Sequence, residues 1–225
     1  MDEEKPKIRI SLLIATTFIT ILWIIRLFEV YTQIDLSTYG IYPRKISGLI
    51  GIFTAPLIHS DFSHIFSNTL SLYILTFFIF YFYLRASIKV FFIIYIFHGL
   101  FVWIFAREAY HIGASGLVYG FAGFLFFMGL LRKDTRSIAV SLLVTFLYGG
   151  IVWGILPTDP KVSYEAHLSG ALVGILCAFI FRKSDPLPVK YEWEEEEEEE
   201  QGFEDYINPD DVKIKDDAHP THFFN

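Results

Sequence analysis

Ser115 and His167 stand at the starts of two strongly apolar segments, and their side chains are chemically complementary. A serine hydroxyl is a weak nucleophile until a base accepts its proton, and an imidazole with an ordinary pKa of about 6.5 can do so at neutral pH. No carboxylate is placed to complete a triad. Glu165 lies two residues before His167 and projects from a different helix face, so the pair reads as a dyad of nucleophile and general base. Acyl transfer also develops negative charge on a carbonyl oxygen, which needs preorganised donors. His64 and Asn68 are four apart on one helical face, about 6 Å along the axis. Together with the backbone N–H of Ser115 they are the candidate oxyanion-side donors. Tyr119, one turn after Ser115, is the aromatic best placed to orient the imidazole, while Gly113 and Gly116 permit a tight turn and close backbone approach beside the nucleophile. His59 precedes the His64 segment and reads as shaping the pocket through loop hydrogen bonds. His98 and His111 read as ordinary interhelical or interfacial hydrogen-bonding residues. A metal site is not expected: Cys177 is the single cysteine, and no HExxH-type spacing is present.

The elements that carry these residues are membrane helices. The chain of 225 residues is 53% hydrophobic and 18% aromatic, with a mean hydropathy of +0.44, which excludes an ordinary soluble enzyme. Apolar runs over Ile10–Ile25, Ile65–Leu84, Val90–Ala106, Leu117–Leu131, Ile138–Leu156 and Ala166–Phe181 predict six spans, an all-α polytopic bundle. The loops of one side hold ten Lys and Arg residues and those of the other four, which predicts a cytoplasmic N-terminus and C-terminus. In that topology helices two, four and six begin on the outer side, so His64, Asn68, Ser115 and His167 converge on one leaflet. Small residues supply the means of approach: Gly116 and Gly120 on helix four, and Ala166, Gly170, Gly174 and Ala178 on helix six. The apolar run after Ser115 spans only about 22 Å, less than the hydrocarbon thickness of ~30 Å, so its start is expected below the outer surface. Non-helical backbone at that depth must be enclosed or face a wet cavity.

Three motifs then stand in order: HxxxxHxxxN (His59, His64, Asn68), GASG followed by LVYG (Gly113 to Gly120), and AHLSGALVG (Ala166 to Gly174). On helices two, four and six of a six-helix core, they resemble the rhomboid family of intramembrane serine proteases over about residues 10 to 183. The resemblance implies Ser115 as nucleophile, His167 as base, His64 and Asn68 as oxyanion-side donors, and Tyr119 as the tyrosine packed on the catalytic histidine. It further implies cleavage of transmembrane or membrane-proximal segments of other membrane proteins, without metal or cofactor. The first loop departs from the family in lacking the Trp-Arg pair common in many members.

The expected organisation is a charged cytoplasmic N-terminus over 1–9, the rhomboid-like membrane domain over 10–183, and an acidic, disordered cytoplasmic tail over 184–225. The formal charge is +5 up to Lys183 and −12 after it, which together give −7. No signal-peptide pattern is visible, and the compact core fits a prokaryotic plasma membrane. The partners expected are the lipid bilayer and transmembrane protein substrates, not nucleic acid; the oligomeric state is not legible. The alternative function is a non-catalytic rhomboid-like protein that binds membrane clients, which has no physical need for both Ser115 and His167.

Overall fold

The computed structural model describes residues 4–159 and 162–187, all of them in helices and connecting loops. Six helices carry the fold: α1 (Glu4–Thr32), α2 (Phe62–Phe82), α3 (Leu84–Phe105), α4 (Ser115–Arg132), α5 (Thr135–Tyr148) and α6 (Tyr164–Phe181). Five of them are long and apolar enough to cross a bilayer, and the chain is an integral membrane protein.

The central element is α4. It packs on α6 more extensively than any other two helices pack together, and α2, α3 and α5 surround its remaining faces. Glycine makes this possible. A β-carbon on Gly170 would strike the carbonyl of Gly116, and one on Gly174 would strike that of Gly120. The two backbones therefore touch along the small-residue faces. Around them Leu72, Leu75, Ile94, Leu117, Phe121, Phe124 and Cys177 form a closed core.

Three expected boundaries shift. First, α1 begins at Glu4, inside the segment assigned to the charged N-terminus. Glu4 accepts from Lys7 Nζ at 3.0 Å and from the Tyr81 hydroxyl at 2.8 Å, so its charge is satisfied within the first turn. Second, the fifth span is not one α-helix to Leu156. The α-helix stops at Tyr148, and Gly149–Ile155 continues as a 3-10 helix, opening on the glycine pair Gly149 and Gly150, which favours a break. Third, the chain does not leave the bundle at 184. Asp185, only 8% exposed, accepts from the backbone N–H groups of Arg85 and Ala86 at 2.7 and 3.2 Å and so caps α3, whose own N-cap, Tyr83, makes no side-chain bond to the helix's first turn. Arg132 donates to the carbonyls of Arg182, Asp185 and Pro186 and fastens the same stretch. The acidic run expected to form a disordered tail lies outside the described residues.

The loop from Gln33 to Asp61 winds through short helical turns and docks on the far end of α3. Arg44 N–H donates to the Trp103 carbonyl at 2.9 Å, and Trp103 Nε1–H returns a bond to the Lys45 carbonyl at 2.9 Å. Its end reaches the turn that enters α4, since the Gly113 N–H donates to the Ala55 carbonyl at 2.8 Å.

Candidate active site

Ser115 is the first residue of α4. The chain enters it through Gly113, at φ +108°, a conformation open to glycine and strained for any other residue. The first N–H groups of a helix have no partner within it, so the turn delivers the hydroxyl beside a cluster of backbone donors. His167 lies one turn into α6, where Ser163 caps the helix by accepting from the Ala166 N–H.

These two residues, 52 apart in the chain, meet: Ser115 Oγ is 2.8 Å from His167 Nε2. The other ring nitrogen, Nδ1, is 2.8 Å from the carbonyl oxygen of Gly154. A carbonyl can only accept, so Nδ1 carries the proton and Nε2 presents its lone pair to the serine hydroxyl. The Tyr119 ring stacks on the imidazole at 4.1 Å between centroids and 8° between planes. The imidazole is thus held by an aromatic stack and by a backbone acceptor that no motif announces. The signal for Gly154 in the sequence is only a glycine inside an apolar run.

The remaining candidates fall beside this pair in different ways. The His64 ring closes on Gly113: a β-carbon there would lie 2.6 Å from His64 Nε2. Asn68 is buried, and its Nδ2 donates to the His64 carbonyl at 3.0 Å, which commits one of its two N–H groups to its own helix. Asp61 caps α2 by accepting from the His64 N–H at 2.8 Å, and Ser60 Oγ lies 3.3 Å from His64 Nδ1. A β-carbon on Gly116 would meet the His98 ring of α3 at 2.5 Å and the Ala166 carbonyl of α6 at 3.2 Å. His98 itself bonds the Ile94 carbonyl through Nδ1 at 2.8 Å.

His59 is buried, with its Nε2 3.4 Å from the Ala114 N–H and its ring edge-on to His64 at 4.9 Å. Burial, with the His64 imidazole beside it, pushes its pKa down to about 4, so it is neutral at physiological pH. Arg26 donates to the His59 carbonyl at 3.2 Å while bonding Glu29, and Glu29 accepts from the Leu36 N–H. The charged pair near the end of α1 therefore braces the loop that holds His59.

A second brace joins the loops on either side of the Ser115–His167 pair. Arg107 donates to both carboxylate oxygens of Glu165 at 3.1 and 3.0 Å and to the Val162 carbonyl. His111 bridges the Ser163 hydroxyl and the Arg107 carbonyl at 2.7 and 3.0 Å. Burial lowers the His111 pKa, which keeps the ring neutral. The loop leading to Ser115 is thus tied to the cap of the helix bearing His167.

The chain is similar to known proteins. The model of the Rhomboid domain matches residues 47–184. Uncharacterized proteins of Mycobacterium tuberculosis and Mycobacterium bovis are each 35% identical over 173 residues, covering 73% of this chain and 72% of the relative. An uncharacterized protein of Mycobacterium leprae is 32% identical over 173 residues, 73% of this chain and 68% of its own.

Proposed function

The chain belongs to the rhomboid family, and from that premise we propose that it is an intramembrane serine endopeptidase working through a Ser115–His167 dyad. The observation that carries this reading is the 2.8 Å approach of Ser115 Oγ to His167 Nε2 on an imidazole whose other nitrogen is engaged by Gly154. A polar pair held this way inside an apolar bundle is costly unless it has work to do.

Ser115 Oγ attacks the scissile carbonyl carbon while its proton passes to His167 Nε2. Negative charge gathers on the carbonyl oxygen and is met by donors near the start of α4, with His64 and Asn68 on the same side. The tetrahedral adduct collapses as His167 returns the proton to the leaving amine, which leaves an acyl ester on Ser115. Water, deprotonated by the same imidazole, hydrolyses the ester and regenerates the hydroxyl. A helical amide is shielded by its own hydrogen bonds, so substrates are transmembrane or membrane-proximal segments that unwind readily. The active site opens to the outer face of a bacterial plasma membrane, with both termini in the cytoplasm; the mycobacterial relatives support a bacterial setting.

The test is purified protein with a model transmembrane substrate. Wild type is expected to cleave it, and Ser115→Ala and His167→Ala to lose cleavage; equal cleavage by all three sinks the dyad. Labelling of Ser115 by a fluorophosphonate separates an enzyme from a client-binding protein of the same fold, since only an activated serine reacts.

A further inference from the structure

We infer that Gly154 is a positioning residue of the dyad, acting twice on His167: its carbonyl holds the Nδ1 proton, and its missing side chain leaves the space in which the Tyr119 ring lies against the imidazole. This deepens the protease reading and rests on it.

The geometry is over-determined at one point. The Gly154 carbonyl oxygen is 2.8 Å from His167 Nδ1, and a β-carbon on the same residue would overlap the Tyr119 hydroxyl and stand 3.2 Å from His167 Nδ1. Any side chain at 154 must therefore push the tyrosine off its 4.1 Å stack, or carry the 154 carbonyl away from Nδ1, or both. Either movement frees the imidazole. Without an acceptor on Nδ1 the neutral ring can take the other tautomer, with the proton on Nε2, where it can no longer accept from Ser115.

The acceptor is part of the backbone, so it cannot be protonated at any pH the protein meets. An Asp in this place would add a charge inside the apolar bundle that needs its own desolvation. A carbonyl fixes the same tautomer without that charge. Its carrier is the 3-10 stretch Gly149–Ile155, the part of the fifth span that departs from α-helix. The departure from α-helical geometry has a consequence at the site: it puts a backbone carbonyl within hydrogen-bonding distance of His167.

The experiment compares Gly154→Ala, Tyr119→Phe and the double variant in the full chain. Gly154→Ala is expected to lower turnover of a model transmembrane substrate roughly 100-fold, the scale of a misplaced general base. Tyr119→Phe in the Gly154→Ala background removes the overlapping oxygen and is expected to recover about tenfold, a coupling of the sign expected for residues sharing one space. Nitrogen-15 NMR of labelled histidine reads the tautomer directly. Wild type should carry the proton on Nδ1 of His167, and Gly154→Ala should shift population to Nε2. Wild-type turnover by Gly154→Ala, or a double variant less active than Gly154→Ala, overturns the proposal. If wild type itself does not cleave, the protease reading fails separately; the tautomer measurement then decides, an unchanged His167 spectrum in Gly154→Ala overturning the positioning role.

Discussion

Gly170 rests against the Gly116 carbonyl so closely that the hydrogen on its α-carbon fills the space a β-carbon would need. Three residues earlier on the same helix is His167, and one residue before Gly116 is Ser115. The distance between Ser115 and His167 is therefore set by a glycine contact.

From this contact follows the first prediction. Gly170→Ala should strain the α4–α6 contact by about 1–3 kcal/mol, and Gly170→Leu should separate the helices and abolish cleavage while the protein still inserts. Membrane extraction, melting temperature in detergent and substrate turnover measure the three parts. Turnover by Gly170→Leu at the wild-type rate is the result that defeats the packing account.

The Arg107–Glu165 pair predicts a charge-specific effect on activity. Its side chains are 37% and 12% exposed, so solvent screens it, and Glu165→Gln should cost stability of only about 1 kcal/mol. The larger consequence is expected in kcat, because Glu165 fastens the first turn of the helix bearing His167. A swapped pair, Arg107→Glu with Glu165→Arg, should regain part of the loss; a swap no better than the worse single variant contradicts the brace.

Asp185 extends the folded domain past α6. Asp185→Ala should lower stability by about 1–2 kcal/mol through loss of a helix cap, and Asp185→Asn by less, since the amide oxygen still accepts. A chain ending at Leu187 keeps each of these bonds, and one ending at Arg182 should melt lower than it. Equal melting of the two truncations would remove the latch.

The fourth prediction concerns pH. The folded pKa of His59, about 4, lies below the unfolded value of about 6.5. Between these values the unfolded chain binds more protons, so stability from this group is complete above about pH 6.5 and is lost as pH falls toward 4. The full span is worth about 3 kcal/mol, with Arg26, His64 and Asp61 the charged and titratable neighbours. His59→Gln should flatten the fall in melting temperature between pH 6.5 and 4, by about one proton's share. An unchanged slope would show that His59 is not the group responsible.

Much of the site was legible because its signals are local. Apolar runs of spanning length, a four-residue spacing between His64 and Asn68, and small residues repeating on two helix faces depend only on helical geometry and transfer energy. They implied the spans, the common leaflet of the polar groups and the pairing of α4 with α6. Boundaries were less legible where a distant partner decided them. Glu4 is held in the helix by Tyr81, and Asp185 by the N–H groups of α3, a hundred residues away.

The sequence by itself determined which polar residues open the apolar helices, a serine and a histidine on two helices whose small-residue faces can pair. Only the tertiary structure decided how the imidazole is held. Its partner is a peptide carbonyl, and every residue except the chain's last has one, so no side-chain pattern can mark which of them will face His167. That choice depends on the 3-10 turn after α5, on the absent β-carbon of Gly154 within that turn, and on Tyr119 from α4 occupying its place, features of two distant segments that acquire meaning only when packed together.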